Sequence, residues 1–192
     1  MEQSRLYIIA GCNGSGKTTA SFNILPGLLD CKEFVNADEI ARGLSPFQPE
    51  SLAIEAGRIM LRRIDELLNS GQTFSFETTL ATKSFVNTIS KARSKGYFVS
   101  LIFIWLESPE LAKERVKKRV SEGGHNISPD VIERRYYAGI KNLFTIYSDK
   151  VDSLMVFDNT GIESELICEK ENNNDILIHN HEKFRSLKSY SK

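Results

Sequence analysis

Short apolar, β-branched or aromatic runs recur along the chain with helix-compatible stretches between them, the alternation that builds a parallel sheet packed between helices. The runs predict strands at 6–10, 33–36, 73–77, 98–106 and 153–157, and the stretches between them predict helices at 17–25, 50–69, 83–95, 109–122 and 129–149. Local punctuation agrees. Ser128 offers a cap to a helix whose Pro129 falls where a missing N–H costs little, and Ser70-Gly71 reads as a helix stop. The run 98–106 is almost unbroken in apolar character, as a central strand buried on both faces should be. Near the C-terminus, 166–169 and 176–179 flank Asn172-Asn173-Asn174-Asp175 and predict a hairpin with a polar turn; 182–192 reads as a short polar helix or a frayed tail. The expected fold class is α/β, a three-layer sandwich with a mostly parallel five- to six-stranded sheet, helices on both faces and a helical lid. One domain is expected over 1–192, with the lid near 109–136 and the C-terminal hairpin and tail near 163–192.

The first predicted strand runs into Gly11-Cys12-Asn13-Gly14-Ser15-Gly16-Lys17-Thr18-Thr19, the Gly-x-x-x-x-Gly-Lys-Thr pattern of a phosphate loop. Its glycines allow consecutive backbone N–H groups to converge on phosphate oxygens, and the following helix adds its positive N-terminal end. Lys17 is then expected to reach the β/γ-phosphates and the Thr18 hydroxyl to ligate Mg²⁺. The sandwich is thereby expected to be of the P-loop NTPase kind.

In such sheets ligands collect at the carboxyl ends of the strands. Two carboxylates follow apolar runs directly, Asp38 after Phe34-Val35-Asn36-Ala37 and Glu77 after Phe74-Ser75-Phe76. Phosphoryl transfer to a hydroxyl needs a carboxylate to orient and accept its proton, and cations to neutralise the transferring group. Asp38 reads either as that base or as the cap of a short helix over 39–42. Glu77 reads either as an acceptor-positioning group or as a strand-end residue paired with a lysine such as Lys83, which is grouped with the acceptor side. The cations come from 111–120, where Arg115 and Arg119 share a helix face, and from Arg134 and Arg135 beyond Gly123-Gly124. Two helices joined by that Gly-Gly hinge form a candidate lid, with solvated helix charges as the alternative. His125 reads as a hinge residue or a phosphate contact.

Balance of charge narrows the partners: 25 basic residues face 25 acidic ones over 192 positions, without the basic excess of a general nucleic-acid binder. Three cysteines, Cys12, Cys31 and Cys168, show no metal-ligand spacing and fit a reducing compartment; Cys12 reads as a small filler or a redox-sensitive thiol. No run approaches the ~20 apolar residues that span a bilayer. A cytoplasmic protein without membrane or nucleic-acid partners is expected.

Taken together, the phosphate loop, Asn36-Ala37-Asp38, Phe76-Glu77-Thr78-Thr79-Leu80-Ala81-Thr82 followed by Lys95-Gly96-Tyr97, Arg115 to Arg119, Gly123-Gly124-His125 and Arg134-Arg135 resemble the zeta-toxin family of P-loop kinases, in particular its short single-domain branch. The resemblance spans roughly 5–160. It implies phosphorylation of a hydroxyl with ATP, or alternatively GTP, and Mg²⁺; the family's characterised toxins act on UDP-N-acetylglucosamine and related UDP-sugars. It implies Asp38 as general base, Glu77 and Thr78 at the acceptor, Lys17 and Thr18 at phosphate and metal, Arg119 at the nucleotide, and an antitoxin as partner. Two features depart from the pattern. Where larger toxins place a second lid arginine before Thr-Pro, this chain has His125 and Asn126 before Ser128-Pro129, so Arg134 or Arg135 is expected to substitute; and the domain is expected to work without the long C-terminal region with which larger members help enclose the acceptor. A kinase of another metabolite and a slowly hydrolysing nucleotide switch are the alternative functions.

Overall fold

The five predicted parallel strands lie side by side, with β4 (Phe98–Trp105) at the centre of the sheet and buried from Val99 to Trp105. The computed structural model describes residues 3–27, 29–124, 126–172 and 174–191. In chain order it holds β1 (Arg5–Ala10), α1 (Lys17–Ile24), β2 (Glu33–Val35), α2 (Ala37–Leu44), a 3₁₀ turn (Pro49–Leu52), α3 (Ala53–Ser70), β3 (Phe74–Thr78), α4 (Phe85–Ser94) and β4. There follow α5 (Pro109–Ser121), α6 (Pro129–Asn142), a π-helical turn (Leu143–Tyr147), β5 (Ser153–Asp158), β6 (Glu165–Glu171), β7 (Leu177–Ile178) and α7 (His181–Ser189). The strand order is β2-β3-β1-β4-β5-β6-β7. β1 pairs in parallel with β3 and β4, setting Ile8 beside both Phe76 and Leu101, so the loop after β1 and the end of β3 open on the same rim.

The sheet has seven strands rather than the expected five to six, because the C-terminal hairpin adds β6 and β7 antiparallel to the edge of β5. An open β5 would present unpaired N–H and C=O groups to water and to other chains, and the hairpin covers them. The segment read as a short helix or a tail is the helix α7, docked through buried Leu187 and through Tyr190, which packs edge-on against Tyr136.

Helices lie on both faces, unevenly. On one, α3 to α6 bury Met60, Ile64, Ile89, Ala112, Tyr136 and Ile140 against Leu6, Ile8 and Leu101. On the other, Ala20 of α1 and Leu25 just beyond it meet Tyr7, Ile9, Ile102 and Ile104, and Met155 and Phe157 of β5 stay half-buried there. The predicted helix 129–149 changes pitch after Asn142. Asn142 Nδ2 donates to Leu80 O (2.8 Å) and Tyr147 Oη to Thr82 O (2.6 Å). Residues five apart diverge on an α-helix, and a π turn, closed here by Ser148 N to Leu143 O, brings them back to one side. Both clamp the loop that follows β3. No helix among the described residues is long and apolar enough to cross a membrane.

Candidate active site

The phosphate loop is a strand-to-helix turn packed between neighbours that leave no room for side chains. At Gly11 (φ +144°) a Cβ would stand 2.2 Å from Ile104 O, and at Gly14 (φ +80°) 2.7 Å from Ala112 O of α5, so only glycine lets the loop nestle against β4 and α5. Gly16 caps α1 in a left-handed conformation with no side-chain hydrogen bond. The first N–H groups of α1 therefore keep the orientation and partial positive charge of an anion site. Lys17 is buried; its ammonium donates to Cys12 O at 2.8 Å and lies 3.5 Å from Glu77. Burial pushes the Cys12 thiol up to about 11 against the pull of Lys17. Such a thiol is a filler beneath the loop, not a thiolate.

Glu77, at the end of β3, accepts from Thr18 Oγ1 (2.8 Å) and from Asn36 Nδ2 (2.9 Å). Its lysine partner is Lys17 and not Lys83, which stands exposed ahead of α4. Asn36 was missed as a site residue. Its Oδ1 accepts from the backbone N–H groups of Asp38 and Glu39 (2.8 and 3.4 Å), which makes Asn36 the cap of α2 and leaves Asp38 in the first turn rather than capping it. One amide thus ties α2 to the end of β3 and sets Asp38 over the loop. The signal in sequence was an Asn two residues before an acid at a strand end, a capping pattern that carries no hint of its second bond.

Two adjoining cavities share this rim. One, of about 220 Å³, is lined by Asn13, Gly14, Gly16, Lys17, Thr18, Thr19, Arg115 and Arg119 together with Asp38 and Glu77. The other, of about 200 Å³, is lined by Asn36, Met60, Thr78, Thr79, Phe85 and Arg135, again with Asp38, Glu77, Asn13 and Lys17. Asp38 and Glu77 belong to both. Thr78 Oγ1 accepts from Leu80 N at 3.1 Å and holds the turn after β3, where buried Leu80 takes φ +59°, a strained conformation for leucine.

The paired arginines of α6 part company. Arg135 points inward, its Nη1 donating to Asn13 Oδ1 at 3.1 Å; burial lowers its affinity for the proton, and the nearby Asp38 offsets this only in part. Arg134 is exposed on the outer face. Its neighbour Tyr136 fixes the register: Tyr136 Oη donates to Leu106 O (2.7 Å) and accepts from Trp105 Nε1 (3.0 Å). Arg115 Nη2 donates to Thr160 O (3.0 Å), Gly123 ends α5 with φ +85°, and Lys113 of α5 pairs with Glu133 of α6 at 2.5 Å. His125 lies outside the described residues.

A phosphate loop after β1, parallel strands in the order β2-β3-β1-β4-β5 and carboxylates on the rim define a P-loop kinase fold. The family model described as Zeta toxin matches residues 32–181, and an uncharacterized protein of Haemophilus influenzae is 32% identical over 136 residues, 70% of this chain and 94% of that protein. The chain belongs to the zeta-toxin family. Among solved structures, AvrRxo1-ORF1:AvrRxo1-ORF2 with sulphate ions superposes with a TM-score of 0.80 at 18% identity, covering 99% of this chain and 65% of that one. The same complex with ATP superposes at 0.78, with the same identity and coverage. This chain spans just under two thirds of their length. The PezAT chromosomal toxin-antitoxin system of Streptococcus pneumoniae superposes at 0.63, with 16% identity over 85% of this chain and 72% of that chain. At such identities the likeness is one of fold.

Proposed function

We propose that the chain is an ATP- and Mg²⁺-dependent kinase of a hydroxyl-bearing small molecule, acting on a sugar nucleotide of the UDP-N-acetylglucosamine type. The observation that carries the reading is that two carboxylates, Asp38 and Glu77, line both the phosphate-loop cavity and its neighbour, and that Glu77 is engaged by Thr18, Asn36 and Lys17, which leaves Asp38 for the base. A group so placed can take the acceptor's proton while the acceptor oxygen faces the γ-phosphoryl group. The loop and Lys17 bind the phosphates. The apolar-walled cavity of about 360 Å³ beside Gly16 and Thr19, with Ile104, Phe157 and Asn159, takes the base.

Thr18 Oγ1 and Glu77, hard oxygen donors 2.8 Å apart, suit Mg²⁺, which keeps several waters and needs few protein ligands. Bound there, it would neutralise charge on the phosphates. Glu77 thus serves the metal side as well as the acceptor. Asn13, Thr78 and Arg135 complete a polar wall suited to a hydroxyl-rich acceptor, and Arg135, not Arg134, takes the place of the second lid arginine. With Arg115 and Arg119 on α5 and Arg135 on α6, the α5–α6 pair acts as the lid that excludes water and neutralises the transferring group. Family membership supports an antitoxin as protein partner.

The test is ADP formation with ATP, Mg²⁺ and UDP-N-acetylglucosamine. Asp38→Asn is expected to lower kcat by ~10² to 10⁴ while ATP affinity stays within a few-fold. Acceptor-dependent turnover that survives the substitution would remove Asp38 as the base, and turnover only with other hydroxyl compounds would replace the acceptor.

A further inference from the structure

We infer that Asn159 is a positioning residue for the phosphate loop and that α7, through Lys183, holds it in place, so that nucleotide affinity depends on the C-terminal helix; this rests on the nucleotide-binding reading above. Asn159 directly follows β5, and its N–H donates to Trp105 O (2.9 Å), prolonging the pairing with β4. Its side-chain Nδ2 donates to Ser15 O at 2.8 Å, while its Oδ1 accepts from Ser164 Oγ at 2.7 Å. The second bond orients the amide so that its donor faces the loop. The contact is close: a Cβ on Gly16 would stand 2.6 Å from Nδ2.

The consequence follows from the peptide unit. The Ser15–Gly16 peptide is planar and trans, so its C=O and its N–H point in opposite directions. Holding the Ser15 carbonyl outward against Asn159 therefore aims the Gly16 N–H the other way, into the cradle where a phosphate oxygen must sit. Asn159 also borders the cavity assigned to the base, but its amide is turned to Ser15 O and Ser164 Oγ, so it acts on the phosphates through the backbone.

What holds Asn159 is the C-terminal segment. Asp158 is 4% exposed and accepts from Lys183 Nζ (2.6 Å) and Thr160 N (2.8 Å). Burial pushes the Asp158 carboxyl up, but hydrogen bonds from Lys183 and Thr160 outweigh it and keep the group below its ordinary range. Lys183 also donates to Glu165 (2.6 Å), which accepts from Asn180, the cap of α7. Both ends of the 158–165 turn are thereby fastened to α7, itself anchored in the core by Leu187. The same turn receives Arg115 at Thr160 O, so the loop and α5 share one support.

Calorimetric titration of the full chain with ATP and Mg²⁺ tests this. Asn159→Ala is expected to raise Kd about tenfold, roughly the worth of one hydrogen bond to a charged group, because the Gly16 N–H is no longer held toward the phosphate. Asn159→Asp should raise it further, because a carboxylate cannot donate and adds negative charge beside an anion site. The melting temperature of Asn159→Ala should fall by only about 2 to 4 °C, the cost of the Ser15 carbonyl losing its donor, with KM for ATP raised and KM for the acceptor unchanged. Lys183→Met should weaken ATP binding several-fold, and the double variant with Asn159→Ala should bind no more weakly than Asn159→Ala alone, because both act on one path. If Lys183→Met fails to fold, Asp158→Asn/Lys183→Met, which leaves no unpaired buried charge, takes its place. Affinities within twofold of the parent for both Asn159 variants, or fully multiplicative effects in the double variant, would overturn the inference alone. A parent chain that binds no ATP, or one whose affinity survives Lys17→Ala, would overturn the nucleotide-site reading with it.

Discussion

Gly139→Ala offers a test in which local and tertiary effects have opposite signs. Gly139 lies inside α6, where alanine is favoured over glycine by about 1 kcal/mol. Yet a Cβ there would stand 2.6 Å from the backbone oxygen of Thr79, so α6 must retreat by about 0.8 Å to reach ordinary contact. The oxygen cannot simply move aside, because the same loop is clamped by Asn142 at Leu80 O and by Tyr147 at Thr82 O. Overpacking of this kind costs about 1 to 3 kcal/mol. Set against the gain in propensity, a net loss of about 1 kcal/mol is expected, which lowers Tm by about 2 to 4 °C for a chain of this size. The functional effect should be larger. Arg135 lies one turn before Gly139, on the same face, and its bond to Asn13 is 3.1 Å long. Displacing the helix by most of an ångström breaks it, and misplacement on that scale can cost up to ~10² in rate. Differential scanning calorimetry and steady-state kinetics read the two effects separately. A variant that melts higher than the parent and turns over equally fast would show that α6 does not press on the Thr79 turn, and would sink the argument.

The two arginines of α6 should separate cleanly. Arg135→Ala is expected to lower kcat by ~10² to 10³, as removal of one stabilising donor does, and Arg134→Ala to leave kcat within about threefold; equal effects would refute the assignment of Arg135. The thiols give a pH-dependent check. Cys12, Cys31 and Cys168 are buried and burial raises the pKa of each, Cys12 to about 11. At about pH 8 they are protonated thiols, so none should react with a chromogenic disulfide reagent until the chain is unfolded. A native thiol reacting within seconds, and lost on Cys12→Ser, would restore the redox reading of Cys12.

Much of the fold was legible because its signals are local. Runs such as Phe98–Trp105 announce strands by composition, and Ser70-Gly71 and Ser128-Pro129 mark helix ends by backbone chemistry. The hairpin, too, was readable as a hairpin, but its joining the sheet depends on the edge of β5, a partner remote from its own residues. Of the candidate site, the loop from Gly11 to Thr18 was legible as a strand-to-helix turn, since its glycines and the helix that follows are neighbours along the chain. Asp38 and Glu77 were legible as strand-end acids. Asn36, Asn159, Thr160 and Lys183 were not, because each acts by a bond to a residue distant in sequence, 144 positions away for Asn159 and Ser15.

By itself the sequence determined that a nucleotide-phosphate cradle opens the chain, that acids follow the next two strands, and that arginines cluster on two consecutive helices. Glycine spacing, strand periodicity and capping are properties of neighbours along the chain, so they survive without a fold. Only the tertiary structure decided which of two adjacent arginines faces the loop, which lysine meets Glu77, and that the C-terminal helix supports the cradle. Those outcomes turn on helix phase and packing. The anchoring of α6 by Tyr136 turns Arg135 inward and leaves Arg134 in water.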